Sequence, residues 1–302
     1  IIVAIIALPL SIALALASGV TPEKGIYTAI TAGFVISFLG GSRVQIAGPT
    51  AAFATIVAGI VAKNGMDGLI IATLLAGVIL ILMGFLRLGN LIKFIPYTIT
   101  TGFTSGIAVT IFIGQIKDFL GLTIVSEEPL IETMDKLKAV FQFISTTNLQ
   151  ALLVGVISLL ILIVWQYLPG FCKKIPPSLI AVLVGSAMVA LLNMNVNTIG
   201  DLYEISNKLP TISLPSFSLK TVQNVLPDAF TIAILAAIES LLSCVVADSM
   251  VNSRHRSNME LIAQGAGNIT SALFGGIPAT GAIARTAANV KNGGRTPIAG
   301  MV

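Results

Sequence analysis

Two charges stand where a charge is expensive. Arg285 lies in "FGGIPATGAIARTAANV", Phe274 to Val290, a short stretch of small apolar residues broken by Gly275, Gly276, Pro278 and Gly281. Glu239 lies in "DAFTIAILAAIESLLSCVVADSM", deep in an uncharged run between Asp228 and Asp248. Ionisable side chains inside apolar segments are rare, and they mark substrate or ion paths when they occur. An arginine at the start of a helix adds a full charge to the partial positive charge of the helix N-terminus, and such a pocket suits an anion. The plainer alternative is an interfacial side chain that snorkels near a helix end.

Glu239 cannot snorkel easily. Ser243 follows one turn later on the same face, at the spacing that lets two side chains meet. Burial opposes ionisation of the carboxyl, whereas a cation such as Arg285 favours it, so the group could change protonation during a transport cycle. Three roles stay open from these residues: a proton-coupling carboxyl, a ligand for a sodium ion together with the Ser243 hydroxyl, and a structural partner that neutralises Arg285. Asp248, beside a loop carrying Arg254 and Arg256, reads as a surface pairing.

These residues need apolar elements to hold them, and the composition supplies little else. Of 302 residues 55% are hydrophobic and only 10% charged, with a mean hydropathy of +0.97. That is too little polar surface for a soluble globule of this size. Uncharged runs such as Leu69 to Leu86, Phe94 to Ile116, Leu149 to Cys172 and Ile175 to Gly200 are each near the ~20 residues that cross a bilayer. The expected class is an all-α polytopic membrane protein. Cys172 and Cys244 are too few and too distant for a disulfide framework and read as reduced thiols. The opening "IIVAIIALPLSIALALASGV" reads as the body of a first spanning helix cut from a longer N-terminus, and "GGRTPIAGMV" as the start of a further apolar segment. Both ends are therefore expected to be truncated.

The breakers divide the chain into about ten membrane segments, near residues 1 to 18, 25 to 40, 44 to 62, 68 to 88, 94 to 115, 149 to 168, 175 to 192, 228 to 250, 259 to 276 and 278 to 290. An eleventh starts near Pro297. Alternate short loops carry Arg43; Arg87 and Lys93; Lys173 and Lys174; Arg254 and Arg256; and Lys291 and Arg295, and these loops are expected on the cytoplasmic side. The long connections 117 to 148 and 193 to 227 hold Asp118, Glu127, Glu128, Glu132, Asp135, Asp201 and Glu204 and are expected outside. The net charge of +4 then reflects topology, not a nucleic-acid partner. Within the first long connection "ETMDKLKAVFQFI" is expected to form a short amphipathic helix on the outer surface.

One unit appears twice. "SFLGGSRVQIAGPTAAF", Ser37 to Phe53, and "SALFGGIPATGAIARTAAN", Ser271 to Asn289, each end an apolar segment in a glycine pair, pass through a short extended stretch and reach a small-residue helix start. They are the third and tenth segments, an odd number of steps apart, so they insert with opposite orientation. Short, Gly/Pro-broken segments in matching positions of an inverted repeat point to a transporter binding site at the bilayer midplane. Each broken segment leaves backbone N–H groups unpaired at the start of its half-helix, which is tolerable only where they line a cavity or meet a ligand.

At these residues the chain resembles the SulP family of sulfate-permease-like anion transporters. The likeness runs through "IALPLSIALALASGVTPEKGIYTAI", "GGSRVQIAGPTAA" and "FGGIPATGAIARTAANVKNGGRTPIAG". It implies fourteen spans in two inverted repeats of seven, divided into a core domain that carries substrate and a gate domain, with a cytoplasmic STAS domain following. On that pattern residues 1–302 form a partial transport domain. The first repeat covers about 1–192 and an incomplete second about 228–302, with the STAS domain outside this fragment. The resemblance places the anion between the third and tenth segments and the first helix, implicating Ala47, Gly48, Thr50, Ala284, Arg285 and Thr286, with Leu10 and Leu14. Many members carry a glutamine at the position of Leu10 and an aromatic at that of Leu14, and this departure bears on which anion binds. Glu239 matches the family's eighth-segment acid, and its combination with Arg285 favours proton over sodium coupling. A homodimer is implied by the resemblance only.

His255, the single histidine, sits in "NSRHRSN" and is expected to be solvated. With no HExxH, no metal-spaced Cys/His cluster and no GxxxxGK[ST], neither a metal, a cofactor nor an enzymatic activity is expected. "GFTSG", Gly102 to Gly106, fits a small-residue helix contact. The expected function is proton-coupled uptake of sulfate or a similar small inorganic anion by alternating access, in the bacterial cytoplasmic membrane. Sodium-coupled or exchange transport of bicarbonate, chloride or dicarboxylate is the rival within transport. A nucleobase permease is disfavoured by Arg285, and a non-transporting membrane sensor is the rival of another class.

Overall fold

The computed structural model describes residues 2–90, 97–125, 130, 132–165, 167–168, 175–203, 209–212 and 214–302, the side chains of residues 2, 97, 99, 100, 103 and 104 excepted. Lys93, Glu127, Glu128, Cys172, Lys173, Lys174 and Glu204 lie outside the described residues.

The chain is mainly helical. Its elements are α1 (Ile2–Ala17), α2 (Pro22–Leu39), β1 (Ala47–Gly48), a 3-10 turn (Ala51–Phe53), α3 (Ala54–Phe85), α4 (Tyr97–Leu120), α5 (Thr133–Gln142), α6 (Leu149–Trp165), α7 (Pro177–Leu191), α8 (Ile199–Leu202), α9 (Leu219–Val251), α10 (Ser257–Leu273), β2 (Thr280–Gly281), α11 (Ile283–Lys291) and α12 (Ile298–Met301). Prolines open α2 and α7, where a missing N–H costs nothing and the fixed φ suits the helix. The third and fourth expected segments run on as α3, broken by a single glycine. Gly65 adopts φ 67° and ψ −170° within it, a conformation open to glycine without a Cβ penalty. The helix expected in "ETMDKLKAVFQFI" is α5, which exposes Met134 and Phe141 and buries Ala139 and Val140.

The chain forms two compact units, residues 1–102 with 205–302 and residues 103–204. In the first, α1, α3, α9 and α10 share a core that includes Ala72, Ala76, Leu80, Ile232, Ala233, Ala236 and Leu261. Small residues let the backbones come close, which is how helices associate when lipid supplies no hydrophobic drive. Gly77 of α3 and Gly265 of α10 face one another so tightly that a Cβ on Gly77 would lie 2.7 Å from the Gly265 carbonyl. At Gly102 and Gly106, expected as such a contact, an added Cβ would meet nothing within 4 Å among the described residues.

The outer faces are apolar. Phe34 and Phe38 stack with ring centroids 6.2 Å apart on the exposed side of α2. In the second unit α6 buries none of its residues, and Leu149, Leu153, Leu159, Leu160 and Ile163 are all exposed. Apolar surface on that scale is what a bilayer covers. The N-terminus of α6 is held by Asn148, whose Oδ1 accepts the Gln150 N–H at 2.9 Å while its Nδ2 donates to the Asn195 carbonyl at 2.7 Å.

Candidate functional site

The two broken segments meet as strands. β1 pairs antiparallel with β2, Ala47 opposite Gly281 and Gly48 opposite Thr280, and Ala282 N–H extends the contact to the Ile46 carbonyl at 2.9 Å. The crossing is tied to α9 by Thr280, whose hydroxyl donates to the Ala236 carbonyl at 3.0 Å. After each strand the chain turns directly into a helix, through Pro49, Thr50 and the 3-10 turn into α3 on one side and through Ala282 into α11 on the other. Two helix starts, with their unpaired N–H groups, therefore flank one crossing. Two glycines make it possible. A Cβ on Gly48 would sit 2.5 Å from Nη1 of Arg285, and one on Gly281 would collide with the Gln45 amide.

Arg285 projects from the first turn of α11 and is 3% exposed, so it is no interfacial snorkeller. Its Nη2 donates to the Pro49 carbonyl, whereas Nε and Nη1 have no partner among the described residues. A buried donor left unsatisfied costs about 1–3 kcal/mol, more when charged, and such a group invites an anionic acceptor. The guanidinium also borders a cavity of about 330 Å³, with Ala7 and Ser11 of α1, Gly33 of α2, Ala47 and Gly300. Leu10 and Leu14 lie outside that lining, and Leu10 is 37% exposed. The α1 side of the cavity is instead Val3, Ala4, Ala7, Leu8 and Ser11. The Ser11 hydroxyl is fully buried and also unpartnered among the described residues.

Glu239 approaches the same crossing from α9, but not as an ion pair. Its Oε2 accepts the Thr50 hydroxyl at 2.9 Å, and the two ion pairs among the described residues, Lys138 with Asp135 and His255 with Asp248, include neither Glu239 nor Arg285. The charges of Glu239 and Arg285 act on each other only beyond contact distance. The expected pairing of Glu239 with Ser243 also does not form. Ser243 Oγ donates to Thr286 Oγ1 at 3.3 Å, and Thr286 Oγ1 accepts the Ile46 N–H at 3.0 Å. Position i+4 here has rotated towards α11, and both threonines expected near the anion spend their hydroxyls on protein partners. Ala284 stands in the first turn of α11 beside Arg285 and is exposed.

His255 is not solvated. Its side chain is 8% exposed, with Nδ1 2.7 Å from Asp248 Oδ2 and Nε2 2.9 Å from Ser257 Oγ. Asp248, expected as a surface pairing beside the loop of Arg254 and Arg256, pairs with His255, because Asn252 closes α9 in the left-handed conformation (φ 52°) and folds the loop back on it. Cys244 is a buried free thiol, as expected, and contacts Gln45 Oε1. The sequence reading missed a polar stripe on α10, formed by Glu260, Gln264, Asn268 and Ser271, all fully buried. Their helical spacing in "ELIAQGAGNITS" was the available signal.

Apolar helices with lipid-facing outer surfaces, built around two interrupted segments that meet at a buried cation, define a polytopic integral membrane protein. The chain belongs to the sulfate permease family, which matches residues 1–302. It is 45% identical to YvdB of Bacillus subtilis (strain 168), provisionally named a sulfate transporter, over 100% of this chain and 56% of that protein. It is 35% identical to the bicarbonate transporter BicA of a Picosynechococcus strain, over 99% of this chain and 54% of that protein. The solved transmembrane domain of a cyanobacterial bicarbonate transporter BicA superposes with a TM-score of 0.85 at 31% identity, covering 99% of this chain and 76% of that one. The chain thus spans little more than half the length of the two relatives. These relatives bear the names of transporters, not of enzymes.

Proposed function

We propose that this chain forms the anion-carrying part of a secondary transporter that takes up sulfate, or a similar small inorganic anion, together with a proton by alternating access. The observation that carries the reading is Arg285, a buried guanidinium with two N–H-bearing atoms unpartnered among the described residues at the point where two helix starts converge. In this mechanism the anion is held by backbone N–H groups at Thr50 and Ala284, where the helix dipoles also act, Gly48 leaves room at the crossing for the guanidinium, and Arg285 supplies the full charge. Ala47 and Thr286 shape the crossing, and Leu10 and Leu14 belong to the helix beside it. Neutralising Arg285 lowers the cost of carrying the site across the membrane.

Glu239 takes the coupling proton. Its carboxyl is held by Thr50 at the head of the first half-helix, so a proton gained or lost there changes the charge beside the anion and biases the states between which the carrier moves. Ser243, bonded to Thr286, acts through the crossing and not on the proton. The half-helices as members of two inverted repeats of seven spans, residues 1–192 and 228–302, the bacterial cytoplasmic membrane as location and a homodimer as assembly belong to the same proposal.

The test is uptake of labelled sulfate by the whole protein in proteoliposomes under an inward proton gradient, with Arg285→Ala and Glu239→Gln alongside. The expected result is proton-stimulated uptake that collapses in Arg285→Ala and loses its pH dependence in Glu239→Gln. Bicarbonate or dicarboxylate flux without sulfate flux would keep the site and replace the substrate. A sodium requirement would replace the coupling ion, and no flux of any anion would favour a sensor.

A further inference from the structure

One face of α10 is polar along much of its length. Glu260, Gln264, Asn268 and Ser271 succeed one another at helical spacing and each is fully buried. A buried polar stripe is costly unless its groups are paired, so the partners indicate its purpose. Most are backbone groups that lead into the two broken segments. Glu260 Oε2 accepts the N–H groups of Gly41 at 2.9 Å and Ser42 at 3.2 Å, and Oε1 accepts Gln264 Nε2 at 2.8 Å. The Gly41 carbonyl in turn accepts the Arg256 N–H at 3.1 Å, and a Cβ on Gly41 would collide with the Arg256 carbonyl. The loop that enters β1 is thus clamped to the first turn of α10.

Farther along, the same helix clamps the other segment. Asn268 Oδ1 accepts the Ala279 N–H at 2.9 Å, and its Nδ2 donates to the Ala279 carbonyl at 2.8 Å. That is the pair of bonds a residue on a neighbouring antiparallel strand would make. Ser271 donates to the Ile277 carbonyl at 2.8 Å, and Thr28 of α2 accepts the Ile277 N–H at 2.7 Å. Neither Glu260 nor Asn268 lines the cavity at Arg285.

We propose that Glu260 and Asn268 are positioning residues for anion binding, fixing on one rigid helix the separation of the backbone entering β1 from the backbone entering β2. This rests on the anion-site reading above. A helix rises about 1.5 Å per residue, so the two clamps are held about 12 Å apart. The gap between the two helix starts inherits that distance. A cradle of backbone donors selects by geometry, and displacement of either rim by an ångström weakens binding out of proportion to any loss of fold.

The experiment uses the whole protein with Asn268→Leu, Asn268→Asp and the milder Thr28→Val, the last serving if Asn268→Leu does not fold. Amide hydrogen exchange is measured over residues 40–48 and 276–282, and sulfate KM and kcat are measured in proteoliposomes. Exchange is expected to rise in the clamped segment while α3 and α10 keep their protection. KM should rise about ten- to a hundredfold with kcat within about threefold, and Asn268→Asp, which keeps the acceptor for Ala279, should fall between Asn268→Leu and wild type. Unchanged exchange in that segment would overturn the proposal, as would faster exchange with an unaltered KM. A wild-type protein that moves no anion would instead sink the transport reading, and the exchange comparison would still decide the clamp.

Discussion

The Thr50 hydroxyl donates to Oε2 of Glu239 at 2.9 Å, joining the residue that caps the first broken segment's helical turn to the middle of α9. A hydrogen bond to a charged group is worth about 1.5–3 kcal/mol, and removing it leaves a half-buried carboxyl without that donor. Thr50→Val, close in shape, is expected to cut proton-driven uptake by about tenfold, the kinetic equivalent of about 1.4 kcal/mol, and to flatten its pH profile. Thr50→Ser should retain both. A wild-type pH profile in Thr50→Val would detach this bond from coupling.

Gly48 and Arg285 are predicted to fail together. A methyl group on Gly48 would occupy the space of Nη1, so Gly48→Ala displaces the guanidinium from the crossing. Its loss of sulfate uptake should match that of Arg285→Ala, and the double variant should be no worse than either, the signature of residues acting as one unit. Additive losses in the flux assay would show the two to be independent.

The α3–α10 contact is a stability determinant separate from the site. Gly265→Val should lower the thermal midpoint of the purified protein, with a cost of about 1–3 kcal/mol for overpacking a close helix contact. Gly102→Val, where a Cβ meets nothing within 4 Å among the described residues, should leave the midpoint near wild type. Equal shifts in the two variants would contradict the packing described.

Strong acid should loosen α8. Thr198 donates both its N–H, at 2.8 Å, and its hydroxyl, at 2.6 Å, to Asp201 Oδ2, and these bonds hold the Asp201 carboxyl below the usual aspartate range. A depressed folded-state pKa stabilises the turn above the unfolded-state value, and the contribution is lost as pH falls through the folded one. Amide exchange over residues 198–202 should therefore be insensitive to pH near neutrality, after correction for intrinsic rates, and should accelerate on strong acidification. Asp201→Asn should remove the acceleration, and a pH-dependent variant would refute the assignment.

Residue types alone located the crossing. Glycine and proline announce backbone that cannot run on as helix, and the two matching stretches at Ser37 to Phe53 and Ser271 to Asn289 do become the strand pair. What the sequence could not convey was rotation about helix axes. Ser243 sits one turn from Glu239, yet its hydroxyl meets Thr286, because the face a helix offers depends on which neighbour packs closest. His255 was hidden for a related reason. A loop rich in charge looks solvated until the left-handed turn at Asn252 folds it over Asp248. The stripe on α10 was written in plain spacing, but its meaning depends on backbone groups of Ser42 and Ala279, and backbone partners leave no trace in side-chain pattern.

The strand pair also sets a timetable for manufacture. Ile46 and Thr286, which bond beside it, are 240 residues apart in the chain, and at roughly 5–20 residues per second about 12–48 seconds pass between their synthesis. Throughout that interval the first broken segment is already in or at the bilayer with strand-edge groups that lipid cannot satisfy. The nascent protein must therefore shelter this segment against water, the insertion machinery or its own earlier helices until its distant mate arrives.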